Sequence, residues 1–250
     1  MSNVILGSDG IAIRQGIYQQ NVNKMTDLGR FIEFQGGRRF RYCKCNDSAG
    51  IAHAKMAAAS LVVANDNAVT QTAMTVALSN GYIGEKVVNV LLAAATTANL
   101  YADGLLTIED GLGEGYSYRI KSNKSGGALY TTPCELTLYD PIVVALDATS
   151  VITLTMNKNK DVIINPANSD ASVAVGVPLI DVTAAYYFWA QVKGYAALMM
   201  TTAGTIGQLV GPGAGDGTCD AASGTVYKPW GQCVQIASSG NYPTIDLQLE

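Results

Sequence analysis

The run Arg30-Phe31-Ile32-Glu33-Phe34-Gln35-Gly36-Gly37-Arg38-Arg39-Phe40-Arg41-Tyr42-Cys43-Lys44-Cys45 decides the fold class. In its first half Phe31, Glu33 and Gln35 alternate with Ile32 and Phe34, the period of two that a strand with unlike faces requires. Gly36-Gly37 supplies a tight turn, and the basic-aromatic second half is then a hairpin partner. Alternation sets Arg39 and Arg41 on one face of that partner and Arg38, Phe40, Tyr42 and Lys44 on the other. Cys43 and Cys45 share a face for the same reason. Asn46-Asp47-Ser48-Ala49-Gly50 closes the hairpin in turn-forming residues.

The same grammar continues downstream. Strands are expected over 73–78, 86–92, 104–108, 116–122, 134–139, 142–146 and 151–156. Turn pairs such as Asn80-Gly81, Asp103-Gly104, Asp110-Gly111 and Asp140-Pro141 separate them. Later candidates are 173–178, the apolar run 185–193, 206–210, 224–227, 232–236 and 245–249. In 185–193, consecutive Tyr186-Tyr187-Phe188-Trp189 can fill both faces of a buried strand. The best helical candidate is 52–60, AHAKMAAAS, one or two turns long. Spacing of strands and turns points to an all-β chain, mainly antiparallel, of sandwich or barrel type, with at most one or two short helices.

Residues 1–28 lack apolar mass and carry Gln15, Gln19, Gln20, Asn21 and Asn23, so they are expected to form an extended arm, loose or ordered by a neighbour. Residues 29–250 form the β-rich body, with a subdivision conceivable in the polar stretch 165–171.

Composition agrees with strands and excludes several classes. Charged residues are 14% of the chain, against about 25% in ordinary proteins. Thirty-two Ala, 26 Gly, 21 Val and 20 Thr leave no room for collagen, coiled coil or intrinsic disorder. A net charge of −4 argues against a nucleic-acid binder. The start carries no export signal, and no stretch is long and apolar enough for a membrane span, so a soluble protein of the cytoplasm is expected. Cys43, Cys45, Cys134, Cys219 and Cys233 are odd in number and irregular in spacing, which suits reduced structural thiols and no metal.

Catalytic patterns are sparse. Any triad would have to use the single histidine, His53, which no nucleophile motif accompanies. Gly111-Leu112-Gly113-Glu114-Gly115 lacks the spacing of a dinucleotide loop, and Gly211-Pro212-Gly213-Ala214-Gly215-Asp216-Gly217 lacks the Lys-Ser or Lys-Thr of a phosphate loop. Asp103, Glu109, Asp110 and Glu114 could in principle supply two glycosidase carboxylates, but most stand at turn positions where Asp serves the backbone. The densest charge feature is Arg38, Arg39, Arg41 and Lys44. It is either a charged edge strand that resists unwanted pairing or a contact for an acidic partner surface. No enzyme activity and no cofactor are expected.

Four segments carry a resemblance. They are Gly37-Arg38-Arg39-Phe40-Arg41-Tyr42-Cys43-Lys44; Ala98-Asn99-Leu100-Tyr101-Ala102-Asp103-Gly104 running on to Gly113-Glu114-Gly115-Tyr116-Ser117-Tyr118-Arg119-Ile120-Lys121-Ser122; Leu136-Thr137-Leu138-Tyr139-Asp140-Pro141-Ile142; and Val175-Gly176-Val177-Pro178 with Tyr187-Phe188-Trp189-Ala190-Gln191-Val192-Lys193-Gly194. In this order the chain resembles structural proteins of tailed-bacteriophage virions, of the capsid-accessory kind called decoration or cement proteins. The likeness runs over residues 29–249 and leaves the arm and the 211–217 insert unmatched.

It implies a non-enzymatic protein, made in the bacterial host cytoplasm, that binds the major capsid protein on the outside of the shell. It also implies a symmetric dimer or trimer, with no nucleic-acid or membrane partner. A tail, spike or fibre component is the nearest alternative, and the major coat protein or a carbohydrate-binding or carbohydrate-active module are others.

Overall fold

In the computed structural model of this chain, residues 5–6, 12–60, 70–75, 81–92, 95–126, 132–168, 172–222 and 229–250 are described, those at 5–6, 12–13 and 70–75 by backbone alone. The chain divides into two units: Met1–Leu61 with Lys158–Glu250, and Val62–Asn157. The division therefore falls on either side of an inserted segment and not in 165–171. Of that polar stretch, Asn165 and Asn168 are bound into the first unit, through Asn165 N–H to the Met56 carbonyl and Asn168 N–H to the Gly213 carbonyl. Residues 169–171 lie outside the described residues.

Every element among the described residues is a strand. The first unit begins with β1 (Ile5–Leu6), β2 (Ala12–Ile13), β3 (Phe31–Glu33), β4 (Arg39–Lys44) and β5 (Ala57–Ala58). The second holds β6 (Thr70–Thr75), β7 (Val87–Val90), β8 (Leu105–Asp110), β9 (Ser117–Asn123), β10 (Cys134–Leu138) and β11 (Val151–Thr155). The chain then returns with β12 (Ile163–Ile164), β13 (Ala174–Pro178), β14 (Tyr187–Ala197), β15 (Leu209–Pro212), β16 (Cys219–Ala221), β17 (Gly231–Cys233) and β18 (Thr244–Gln248). The all-β expectation holds, and all named strand pairings are antiparallel. The strand expected over 224–227 lies outside the described residues.

The second unit is a six-stranded sheet in the order β6-β11-β8-β9-β10-β7. Its alternation is clean. In β9, Tyr118 and Ile120 are buried while Ser117, Arg119 and Lys121 face out, and β10 repeats this with Cys134, Leu136 and Leu138. One face thus becomes core, joined by Leu92, Tyr101, Ile142 and Leu146 from the connections. The strand expected over 142–146 is such a connection. Its Ile142 and Leu146 N–H groups bond the carbonyls of Glu85 and Gly81, so it lines a loop rather than extending the sheet.

In the first unit β14 is the spine. Its early residues pair with β4 on one side, its middle with β13, and its later residues with β18. Phe188 packs with Cys43, Cys45 and Ile51, whereas its neighbour Trp189 packs with Ile32, Phe40 and Tyr42. Consecutive aromatics therefore serve opposite faces, as alternation demands. The expected β3–β4 hairpin forms, with Ile32 opposite Phe40, around Gly36 and Gly37 at φ +88° and +78°.

One expectation is overturned here. The 52–60 segment is not helical: Ala54 stands at φ +54°, and the N–H groups of Ala54, Met56 and Ala59 bond Pro178, Gly217 and Val173. Those long-range bonds take the donors that a helix would use, and Ala57 and Ala58 are fully buried between β12 and β13. Alanine is there for its small volume rather than its helix propensity. The second half of the arm is held against the body of its own chain. Gln15 is buried and bonds Tyr42 and the Tyr187 carbonyl, and Asn21 exchanges backbone bonds with Tyr187.

Candidate functional site

The basic stretch sits on β4, which pairs with both β3 and β14 and so is not an edge strand. Arg39 and Arg41 leave one face together and flank the Phe31 ring at 5.1 and 5.2 Å. Arg39 reaches Glu33 at 2.8 Å, and Arg41 grips Glu250 through Nε and Nη2 at 2.9 and 2.8 Å. Lys158 adds a third cation 3.7 Å from Glu250. Burial pushes the Glu250 carboxyl up, but the Arg41 hydrogen bonds and the charges of Arg41, Lys158 and Arg39 outweigh it and hold it below its ordinary value. On the other face Arg38 donates twice to Gln191 Oε1, and Lys44 lies 3.3 Å from Asp161. Arg39, Arg41 and Lys44 thus each meet a carboxylate of their own chain, whereas Arg38 is held by a neutral amide.

Beside them opens a cleft of about 820 Å³. The 35–38 turn forms one wall, and β14 and β18 supply the rest. Register places Lys193 opposite Gln248 and Tyr195 opposite Asp246, so these four side chains share one solvent-facing grid. The β14 backbone turns aside at Gly194, φ +81°. Gln191, buried completely, holds that bend: its Nε2 donates to the carbonyls of Lys193, Gly194 and Tyr195. Sequence reading missed the cleft because its walls come from three distant segments.

The second unit has a different feature. Tyr82 and Ile83 are 67% and 68% exposed, Val143 56%, and Leu112 and Tyr116 44% each. The connections bearing them are tied together. Gly84 N–H bonds the Ile142 carbonyl, Ile142 N–H bonds Glu85, and Gly113 abuts Leu146. Ser150 donates to the Leu112 carbonyl. Apolar side chains thus project from a backbone that is already fixed. The signal was present as Gly81-Tyr82-Ile83-Gly84, two large apolar residues in a turn.

Three of the remaining candidates have partners within the chain. His53 Nδ1 lies 2.7 Å from Asp181 Oδ1, on the exposed surface. Asp110 accepts from Gly111 N–H and Asp103 from the Tyr139 hydroxyl. All five cysteines are free and buried. Burial pushes the Cys134 thiol up to about 11 and the Cys219 thiol up to about 12, so neither is a thiolate at neutral pH. Among the described residues no three His, Cys, Asp or Glu side chains converge as a metal site, and no helix is long and apolar enough to cross a membrane.

The 211–217 loop is pinned by Asp220, whose carboxylate accepts from the N–H groups of Thr201, Thr202 and Ala214 and from both threonine hydroxyls. Burial raises the Asp220 carboxyl, but these bonds together lower it below the ordinary value. A depressed folded-state value stabilises the protein above the ordinary carboxylate range and loses that effect as pH falls through the folded value. Asp220→Asn should therefore cost about 1–2 kcal/mol at pH 7 and progressively less as pH falls toward 2. Urea unfolding at both pH values checks this; an equal cost at both would remove ionisation from the explanation.

Compared with known proteins, the chain matches no family model, no curated relative and no solved structure.

Proposed function

We propose that this chain is a non-enzymatic structural protein of a tailed-phage virion that attaches to the outside of the capsid, contacts the major capsid protein and stabilises the shell as a symmetric dimer or trimer. The observation that carries the reading is the apolar loop end of the second unit. Tyr82, Ile83, Leu112, Tyr116 and Val143 stand exposed on connections whose backbone bonds are already made. Docking such a surface orders little new backbone, so burial of its side chains translates into affinity with a small entropic loss. Apolar side chains exposed together on neighbouring connections mark an interaction site.

The resemblance supports the same reading at the level of architecture. Its segments take in β4, β9, β10, β13 and part of β14, strands that contribute to the cores, with 98–104 and 139–142 in connections. What it speaks to is therefore a shared body plan, and the attachment surface has to be argued from exposure.

The test is cosedimentation of purified protein with purified capsids, preceded by light scattering for the oligomeric state. Saturable binding by a dimer or trimer is expected. Replacing Tyr82 and Ile83 together by Ser should weaken binding about tenfold or more, since each buried side chain of this size contributes about 1.5–3 kcal/mol. A monomer that does not sediment with shells overturns the proposal.

A further inference from the structure

The sheet formed by β14, β18, β17 and β15 has two unlike faces. Inward, Ala196, Ile245, Leu247, Cys233 and Val210 belong to one core cluster. Outward, Tyr195, Asp246, Gln232 and Leu209 stand in register across the four strands. That row spans three interstrand intervals, about 14 Å. Lys193 and Gln248 form a second, shorter row beside it, and the 35–38 turn rises next to both to make the cleft.

The chemistry of this face is specific. Tyr195 is 63% exposed, an aromatic ring set upright on a rigid sheet. Around it stand three primary amides, Gln35, Gln232 and Gln248, and one carboxylate, Asp246. Among the described residues no side-chain hydrogen bond or ion pair engages any of these four, or Lys193. Charge is balanced: Lys193 is matched by Asp246, while Arg38 and Glu250 are held from behind by Gln191 and Arg41.

A polyanion would want an excess of cations, which this face lacks. A protein partner would want a cluster of apolar anchors, and in this row Tyr195 and Leu209 are set apart by Asp246 and Gln232. A neutral polyhydroxylated chain fits. Amides and carboxylates present paired donors and acceptors to neighbouring hydroxyls, and the apolar face of a sugar ring packs on an aromatic ring.

We propose that the open face of β14–β18–β17–β15 and its adjoining cleft bind a neutral oligosaccharide chain, with Tyr195 stacking on a sugar ring and Gln35, Gln232, Asp246 and Gln248 bonding its hydroxyls. The site lies in the first unit and is independent of the loop end assigned above to capsid attachment.

Titration of the full chain by calorimetry with a panel of neutral hexasaccharides (β-linked glucan, α-linked glucan, mannan and chitin fragments) tests it, with a heparin hexasaccharide as the polyanionic comparison. At least one neutral fragment should bind saturably. Tyr195→Ala should weaken that binding about tenfold, the value of one aromatic contact, without changing thermal unfolding. Asp246→Asn should weaken it too, whereas the Tyr82 and Ile83 replacements should leave it untouched. Absence of binding across the neutral fragments, binding indifferent to Tyr195→Ala, or tighter and salt-sensitive binding of the heparin fragment would each overturn the proposal.

Discussion

Trp189→Ala should destabilise the first unit by about 3–5 kcal/mol and release the 15–28 segment from it. Trp189 is 1% exposed and packs its indole 4.9 Å from the Tyr42 ring, within the cluster of Ile32, Phe40 and Tyr42. Truncation leaves a cavity where β4 and β14 pair, and the surrounding strands are locked by their ladders and can collapse only in part. The indole Nε1 also donates to the Gln15 carbonyl at 3.0 Å. Around that bond lies a short polar chain: Met25 N–H to Tyr42 Oη, Tyr42 Oη to Gln15 Oε1, and Gln15 Nε2 to the Tyr187 carbonyl. Burial pushes the Tyr42 hydroxyl up to about 12, so it remains a donor at any ordinary pH.

Two readouts separate the packing loss from the release of the segment. Both tryptophans of the chain, Trp189 and Trp230, lie in the first unit. In the variant, Trp230 fluorescence alone follows denaturant unfolding of that unit. Limited trypsin digestion follows the segment, because cleavage after Lys24 requires residues near it to leave the body. The wild type should be protected and the variant cut quickly. A stability change below about 1 kcal/mol with unchanged protection would mean that Trp189 does not join the segment to the sheet.

That segment shows what a sequence can and cannot disclose about such a fold. The 30–45 hairpin and the buried strand at 185–193 were legible because a strand's two faces impose a local period, and each residue's face follows from its neighbours. Gln15 was not legible. An amide-rich stretch reads as solvated, and whether its amides face water or satisfy a carbonyl across the fold depends on residues 172 positions away. Asn165 misleads in the same way: its carbonyl accepts from Gly217 N–H inside the first unit, so the polarity of 165–171 marks no boundary. Ala57 and Ala58 mislead in the opposite direction, since propensity favours a helix and long-range bonding decides for β5. The Arg38–Lys44 stretch was correctly split into two faces, yet the carboxylate that engages Arg41, Glu250, lies 209 positions away. The cleft had no motif at all, because only strand register brings its walls together.

Gln191→Leu should cost the first unit about 3 kcal/mol or more despite matching the side chain's size and keeping β14 apolar. Gln191 is completely buried, and its one amide group makes five hydrogen bonds. Nε2 gathers the carbonyls of Lys193, Gly194 and Tyr195, and Oε1 receives Nε and Nη2 of Arg38. Leucine removes the donor and acceptor while leaving the backbone bend between Gln191 and Lys193 in place. Carbonyls and a guanidinium are then left facing an apolar side chain, the arrangement in which a missing partner costs most.

The geometric consequence follows from position. Lys193 and Tyr195 are the cleft residues held by this amide, and Arg38 is anchored by its oxygen. Loss of Gln191 should therefore loosen both walls of the cleft at once, so any ligand that depends on Tyr195 should be weakened by Gln191→Leu even at temperatures where the unit stays folded. Gln191→Glu is the informative companion. It retains both contacts to Arg38, now as an ion pair, but sets a carboxylate oxygen against the three carbonyls, so it keeps the anchor while removing the support of the bend. Trp189 and Trp230 fluorescence during denaturant unfolding measures both variants. If Leu and Glu at this position were equally and only slightly destabilising, the bend would be self-supporting through Gly194, and the amide would be a passenger in the core.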